Sequence, residues 1–401
     1  MYRVIYQGVD TLDVAFQGAL PMETLDHLEE AKTAAEVMQG DTYGAPFQFN
    51  PGGRVFFVKS HGKKGGYRYT LTDNPTGAIF SVKRDTRINE WNIFASARAA
   101  GLLSRTYVGM KQHIVDCLED MGAVILGASV NRIDYAVDIA TPRFDLDMAN
   151  FVAPRRAKVG CHFSTDTDLD DLGDKAAAER GAPVGSVMRG GRFESVTVGK
   201  MPGRQVILYD KLKAAKDQQT DYWFAAWGLD PDDLGTQVWR VEIRAGRDAL
   251  ERHTPAAHTR TYETVEAVLP GFLGKALEEI RYVTGRAEVS NVTRAAVHPL
   301  WDLAQSAAKA LPQPTEPCIP ASHVLELMRK KRLAMAQAQA FGNLNNVLLY
   351  EGLGPDDILA RYVELAAEQA EGYLERLGKV EHRKKLDVGE TRLGCFLGGK
   401  L

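Results

Sequence analysis

Three short segments hold residue types that could together cut a phosphodiester. In Asn131-Arg-Ile-Asp-Tyr-Ala-Val-Asp-Ile139, period-two alternation puts Arg132, Asp134, Ala136 and Asp138 on one face of a strand. Ile133, Tyr135, Val137 and Ile139 fall on the other. In Trp239-Arg-Val-Glu-Ile-Arg244 the same alternation groups Arg240, Glu242 and Arg244. Between them in sequence, Gly203-Arg-Gln-Val-Ile-Leu-Tyr-Asp-Lys211 groups Ile207, Tyr209 and Lys211, with Val206 and Leu208 behind. If the three strands are neighbours, three carboxylates, one phenol and several cations share the polar side of one sheet.

Attack on a phosphodiester needs a nucleophile in line with the leaving oxygen, a cation to neutralise the non-bridging oxygens, and a grip on the strand. Asp134, Asp138 and Glu242 are the candidate ligands of a divalent metal, and hard oxygen donors suit Mg or Mn. Tyr209 is the candidate nucleophile. A phenol with a free pKa of about 10 attacks poorly at neutral pH unless a cation favours the phenolate; Lys211 or the metal could supply that cation. A phosphotyrosine would conserve the energy of the cleaved bond, whereas water would forfeit it. The plainer alternative is a half-wet antiparallel strand whose Asp/Arg pairs are only cross-strand ion pairs, with Tyr209 packing its ring. Against it, Asp is depleted in strands, so two aspartates in one short strand need a stabilising partner. Tyr135 faces the other way, and Tyr222 and Tyr262 sit in helical or loop contexts.

The ordered set Arg-x-Asp-x-x-x-Asp, then Gly-x-x-x-Gly-Arg-x-x-x-x-Tyr-Asp-Lys, then Arg-Val-Glu-Ile-Arg resembles the replication initiation factor family. These are the rolling-circle initiators of small plasmids and filamentous phages, with related relaxases. The matching residues are Arg132, Asp134 and Asp138; Gly199, Gly203, Arg204, Tyr209, Asp210 and Lys211; and Arg240, Glu242 and Arg244. The resemblance spans roughly residues 1–290. It implies carboxylate rather than histidine metal ligands, and no His-hydrophobic-His pair occurs among the nine histidines.

Net charge is only -3, which argues against coating nucleic acid through bulk charge. Local patches differ. Residues 54–87 hold eight Lys/Arg against two Asp, and residues 189–216 hold seven against two acids. Each includes a glycine-rich turn, bringing Lys63 and Lys64, or Arg189 and Arg192, toward DNA phosphates or merely into solvent. Arg132, Arg204, Arg240 and Arg244 complete the expected DNA-binding set. Phe56, Phe57, Tyr67 and Tyr69 could stack bases of a melted strand, or pack a core face.

A chain of 401 residues with 45% hydrophobic content can bury a large core. Four scattered cysteines suggest neither a zinc site nor a disulfide framework. No leader or membrane span is read, so a cytoplasmic protein is expected. Gly8, Asp10 and Asp13 faintly echo the Asp134–Asp138 segment, as an internal duplication would. Residues 55–82 read as a strand meander, 91–122 as helix broken near Gly101 and Gly109, and 262–282 as helix interrupted at Pro270-Gly271. The aspartates between Asp166 and Asp174 read as a solvated acidic loop. Four prolines in residues 311–320 mark a linker or strap, followed by helices over 324–341 and 355–377 with basic runs at 329–332 and 382–385.

The expectation is an α+β fold: a mainly antiparallel sheet carrying the site, helices on one face, and a helical C-terminal region. Residues 1–300 would form the nicking domain and 301–401 the helical region. The leading function is a rolling-circle initiator that nicks and rejoins an origin strand, acting on single-stranded or melted DNA with a host helicase and a second copy as possible partners. A conjugative relaxase, a non-catalytic DNA-binding regulator and a hydrolytic metal nuclease are the alternatives.

Overall fold

The computed structural model describes residues 1–37, 44–50, 52–153, 184–189, 192–233, 235–255, 260–285, 294–311 and 314–396. The acidic loop at Asp166–Asp174 and Cys161 lie outside them. The chain runs β1 (Arg3–Ala19), α1 (Met22–Val37), β2 (Ala45–Gln48), β3 (Val55–Val58), β4 (Tyr67–Thr72), β5 (Ile79–Lys83), β6 (Trp91–Arg98), α2 (Ala99–Asp120) and β7 (Val124–Thr141). It continues with β8 (Phe151–Val152), β9 (Val184–Arg189), β10 (Arg192–Gly199), β11 (Arg204–Asp210), α3 (Lys211–Asp217), α4 (Tyr222–Trp227) and β12 (Gln237–Gly246). After these come α5 (Arg247–His253), α6 (Tyr262–Glu279), β13 (Arg281–Tyr282), α7 (Pro299–Ala310), α8 (Ala321–Tyr350), α9 (Pro355–Leu377) and α10 (Lys379–Phe396).

Eleven strands form one antiparallel sheet in the order β2-β3-β4-β5-β6-β1-β7-β12-β11-β10-β9. The two longest strands, β1 and β7, lie side by side at the centre. Each is followed by a meander that starts at an outer edge and walks back to pair with it, β2 to β6 for the first and β9 to β12 for the second. The faint sequence echo between β1 and β7 therefore coincides with a repeat in topology.

Alternation decides what each strand face meets. Leu12, Val14 and Phe16 of β1, Ile133, Tyr135, Val137 and Ile139 of β7, and Val241 and Ile243 of β12 form one core with Met110, Ile114 and Leu118 of α2 and Leu269, Phe272 and Leu273 of α6. Full burial of such side chains contributes about 1.5–3 kcal/mol each. The opposite face is mostly polar. At one end α3 and α4 cover it, where Trp223, Phe224 and Trp227 pack on Tyr6, Ala136 and Val238.

Three local expectations change. Residues 91–98 form β6 rather than helix, because Ile93, Ala95 and Ala97 alternate into the core while Phe94, Ser96 and Arg98 point away. Helix α2 is kinked at Thr106, whose φ is 66°, between the two glycines expected to break it. Pro270 lies inside a continuous α6; burial of Val265, Leu269, Phe272 and Leu273 outweighs a proline cost of about 3 kcal/mol. The core also takes in Trp301, Ala304 and Ala308 of α7. Beyond it a proline-rich strap crosses β1 at Gly8, where an added Cβ would stand 3.5 Å from Pro314 and 3.0 Å from the Tyr6 hydroxyl. The strap is anchored by Cys318 N–H donating to Leu103 O at 2.9 Å and by buried Ile319. Helices α8 to α10 follow, with Leu348, Ile358 and Leu365 forming their own small core.

Candidate functional site

The strand register brings the three segments together. Across the central strands run the rows Tyr209-Arg240-Asp138-Tyr6, Ile207-Glu242-Ala136-Gly8 and Gln205-Arg244-Asp134-Thr11. All lie on the polar face. Between Val9 and Thr11 the register of β1 slips by one residue, leaving Asp10 as the extra residue of a bulge. A bulge re-aims a side chain; here the Asp10 carboxylate meets Arg240 Nη1 at 2.6 Å.

Arg240 is the hub. It is fully buried, donating from Nε and Nη2 to the two oxygens of Asp138 at 2.6 and 2.8 Å and from Nη1 to Asp10. Its guanidinium lies 4.1 Å from the centre of the Trp223 ring, and Trp227 Nε1 donates to Asp138 at 2.8 Å. Two carboxylates, an aromatic face and an indole thus hold one cation in place, the planar fork matching Asp138 bidentately.

The second cluster contains the nucleophile candidate. Tyr209 Oη donates to Glu242 Oε2 at 3.0 Å, while Arg244 Nε donates to Glu242 Oε1 at 2.6 Å. Arg132 donates from Nε and Nη2 to Asp134, with contacts of 2.6–3.0 Å, and Arg244 Nε stands 3.8 Å from the same carboxylate. Burial pushes the Asp134 carboxyl up and Arg132 and Arg244 only partly offset it, with the charge of Glu242 adding to the rise. Glu242 is buried too, but Arg244 and Arg240 outweigh that cost and hold it below its ordinary range. Burial, then the charge of Glu242, raises the Tyr209 phenol well above 10. At rest Tyr209 is therefore a phenol donating to an ionised carboxylate.

Lys211 does not continue β11. The Asp210 side chain caps α3 by accepting from Lys213 N at 2.9 Å, so Lys211 opens that helix. Its Nζ lies 5.8 Å from the Tyr209 ring centre and 4.5 Å from that of Trp223. Burial first, then the charge of Arg240, lowers its pKa to about 8.

The other expected residues divide. Asp134, Asp138 and Glu242 share a face but not one ion-sized cage. Two residues four apart along a strand are separated by about 13 Å, and both oxygens of Asp138 are taken by Arg240 and Trp227. Arg240, expected on DNA, is buried on carboxylates. Arg204 lies on the helix-covered face, where its Nη2 reaches Glu279 at 2.7 Å. Arg132 and Arg244 are partly exposed, 24% each, and each is held on a carboxylate. Gly199 and Gly203 shape the β10–β11 turn: φ at Gly199 is 106°, and a Cβ there would stand 2.0 Å from Arg204 O. Arg189 and Arg192 pair across the β9–β10 hairpin, and their side chains lie outside the described set. Lys63 and Lys64 are both exposed, Lys63 in the electrostatic reach of Arg98 and Asp13. Phe56, Phe57 and Tyr69 are core residues, leaving Tyr67 half-buried beneath Lys83. The basic runs of α8 and α10 are partly neutralised locally, Arg329 by Glu326 and Arg383 by Asp387.

Asp10, Trp223 and Trp227 were missed. Asp10 had a signal in the β1 echo, but nothing in the sequence marks the bulge that turns it inward. The tryptophans lie on a six-residue helix too short to show a period.

No helix among the described residues is long and apolar enough to cross a membrane. No family model matches the sequence, and no curated protein matches it. Among solved structures, the chain is similar in part to a rolling circle replication initiator protein from Geobacillus stearothermophilus, at 13% identity and a TM-score of 0.39, over 79% of this chain and 100% of that one.

Proposed function

We propose that this chain nicks and rejoins one strand of DNA through Tyr209, in the manner of a rolling-circle replication initiator. The observation that carries the reading is the hydrogen bond from Tyr209 to Glu242 on a face backed by Arg244, Asp134 and Lys211. A nucleophile bonded to a base, with the base held by a third group, is the arrangement covalent catalysis requires.

Tyr209 Oη attacks the phosphorus as its proton passes to Glu242 Oε2, a transfer that requires the Arg244–Glu242 contact to loosen first, since that arginine holds the carboxyl below its ordinary range. The P–O3′ bond breaks, and Lys211 hands a proton to the leaving 3′ oxygen, a task suited to an ammonium with a pKa of about 8. The 5′ phosphate stays on Tyr209, so a later 3′ hydroxyl can reverse the exchange. Arg132 and Arg244, both partly exposed, stand where backbone phosphates would approach.

A divalent cation held by Asp134 and Glu242 would have to displace Arg132, Arg244 and the Tyr209 hydroxyl, which engage all four of their oxygens. Arginine leaves Asp134 under-compensated, so its carboxyl still sits above its ordinary range. Bound Mg or Mn would neutralise charge on the non-bridging oxygens. Asp138 fits that role less well and acts by positioning Arg240.

The test is incubation with supercoiled DNA carrying the gene's own region, with Mn or Mg, followed by a denaturing gel. A nicked strand that retains protein, lost in Tyr209→Phe, supports the reading; cutting that survives Tyr209→Phe points instead to a hydrolytic nuclease. A relaxase would share every one of these residues. One observation favours a second reading, a non-catalytic DNA-binding regulator: each carboxylate of the face is engaged by an arginine. That protein would bind DNA tightly with no response to metal.

A further inference from the structure

We propose that Asp73, His113 and Cys117 form a second metal site, selective for zinc and structural in role, on the opposite side of the sheet from Tyr209. Among the described residues these three bring one ligand atom each to within 4.8 Å of one another, and all are buried. His113 Nε2 stands 3.1 Å from Asp73 Oδ2 and 3.7 Å from Cys117 Sγ. Zinc bonds of about 2.0–2.3 Å in a tetrahedron require donor separations of about 3.3 Å for N to O and about 3.6 Å for N to S. The observed spacings match those edges.

The surroundings hold the ligands as an ion would need them. His113 and Cys117 are one turn apart on the same face of α2. Asp73 sits in the β4–β5 turn, which Asn74 shapes by donating to Asp73 Oδ2 at 2.6 Å and accepting from Thr76 N at 2.8 Å. Gly77 is required there, since a Cβ would stand 1.8 Å from Asp73 Oδ1. That oxygen is buried with no hydrogen-bond partner, an unpaired acceptor in a fully enclosed carboxylate. Arg54 Nη1 lies 3.2 Å from Oδ2, an outer-shell contact of the kind that orients a ligating carboxylate. Asp120, two turns from His113 along α2, shares Arg54 with Asp73, its Oδ2 lying 2.8 Å from Arg54 Nε. A mixed nitrogen, sulfur and oxygen set selects zinc over magnesium. Loading exchanges the Cys117 thiol proton for the ion, so one proton is released as the Zn–S bond forms. The ion would bolt the β4–β5 turn to α2 just beyond its kink.

This inference does not rest on the Tyr209 reading. The full chain, purified from zinc-supplemented medium without chelator, should carry about one zinc per molecule. Cobalt added to chelated protein should give a thiolate charge-transfer band in the near ultraviolet and visible bands of tetrahedral intensity. Cys117→Ser should abolish the first, and His113→Gln should lower metal content. Protein that holds no zinc and gives no cobalt–thiolate band overturns the proposal. So does a band that persists in Cys117→Ser, since Cys161, Cys318 or Cys395 would then be the ligand.

Discussion

Replacing Arg240 with methionine tests whether the buried ion cluster is the keystone of the site. The guanidinium has no exposure and makes three contacts of 2.6–2.8 Å to Asp138 and Asp10. Methionine fills much of the volume and still packs on Trp223, so the loss is electrostatic. Among the described residues it leaves Asp138, itself fully buried, with only the Trp227 indole as a donor. Stranding a buried charge in this way costs about 3–5 kcal/mol, a large share of a typical domain's stability of about 5–15 kcal/mol. Urea unfolding of wild type, Arg240→Met, Asp138→Asn and the double variant forms a cycle. The double variant should be more stable than Arg240→Met by at least about 1 kcal/mol, because the stranded carboxylate is gone. A loss below about 1 kcal/mol in Arg240→Met, or strict additivity in the cycle, would refute the hub.

Other perturbations report on neighbouring groups. Asp10→Asn should destabilise by about 1–3 kcal/mol while leaving the Asp138 pairing intact, read by the same unfolding assay. Glu242→Gln should slow nicking by about 10²–10⁴-fold with DNA affinity unchanged, and a variant that nicks normally would remove Glu242 as the proton acceptor. Lys211 has a folded pKa of about 8 against 10.5 in the open chain. The unfolded state therefore binds more protons across that window, and stability should rise there by up to about 1.4 kcal/mol per pH unit. Lys211→Met should lose that rise between pH 8 and pH 10, and identical profiles would contradict the burial argument.

Period-two alternation was enough to place Arg132, Asp134 and Asp138 opposite Arg240, Glu242 and Arg244, because strand geometry fixes which side chains share a face. Arg204, expected on DNA, instead lies on the face away from Tyr209, two residues before Val206 in the same alternation. Alternation fails where the strand does. Asp10 lies in a bulge, and Lys211 follows an N-cap that converts strand to helix. Nor does it reveal pairing: that Arg240 would be spent on Asp138 and Asp10 instead of on phosphate follows from burial by Trp223 and Trp227, residues 17 and 13 positions back on a helix of six. Residues 91–98 read as helix in sequence because Ala95, Ala97, Ala99 and Ala100 run on without a break into α2, and Pro270 reads as a break because packing across the sheet is invisible locally. Asp73 reaches His113 and Cys117 only through the fold.

The most direct test of the central claim is mass spectrometry of the protein after reaction with its own origin-region DNA in Mn or Mg, nuclease digestion and proteolysis. A nucleotide joined to the peptide carrying Tyr209, absent in Tyr209→Phe, is the predicted result. Cleaved DNA with an unmodified Tyr209 peptide, or an adduct on another tyrosine, would contradict it.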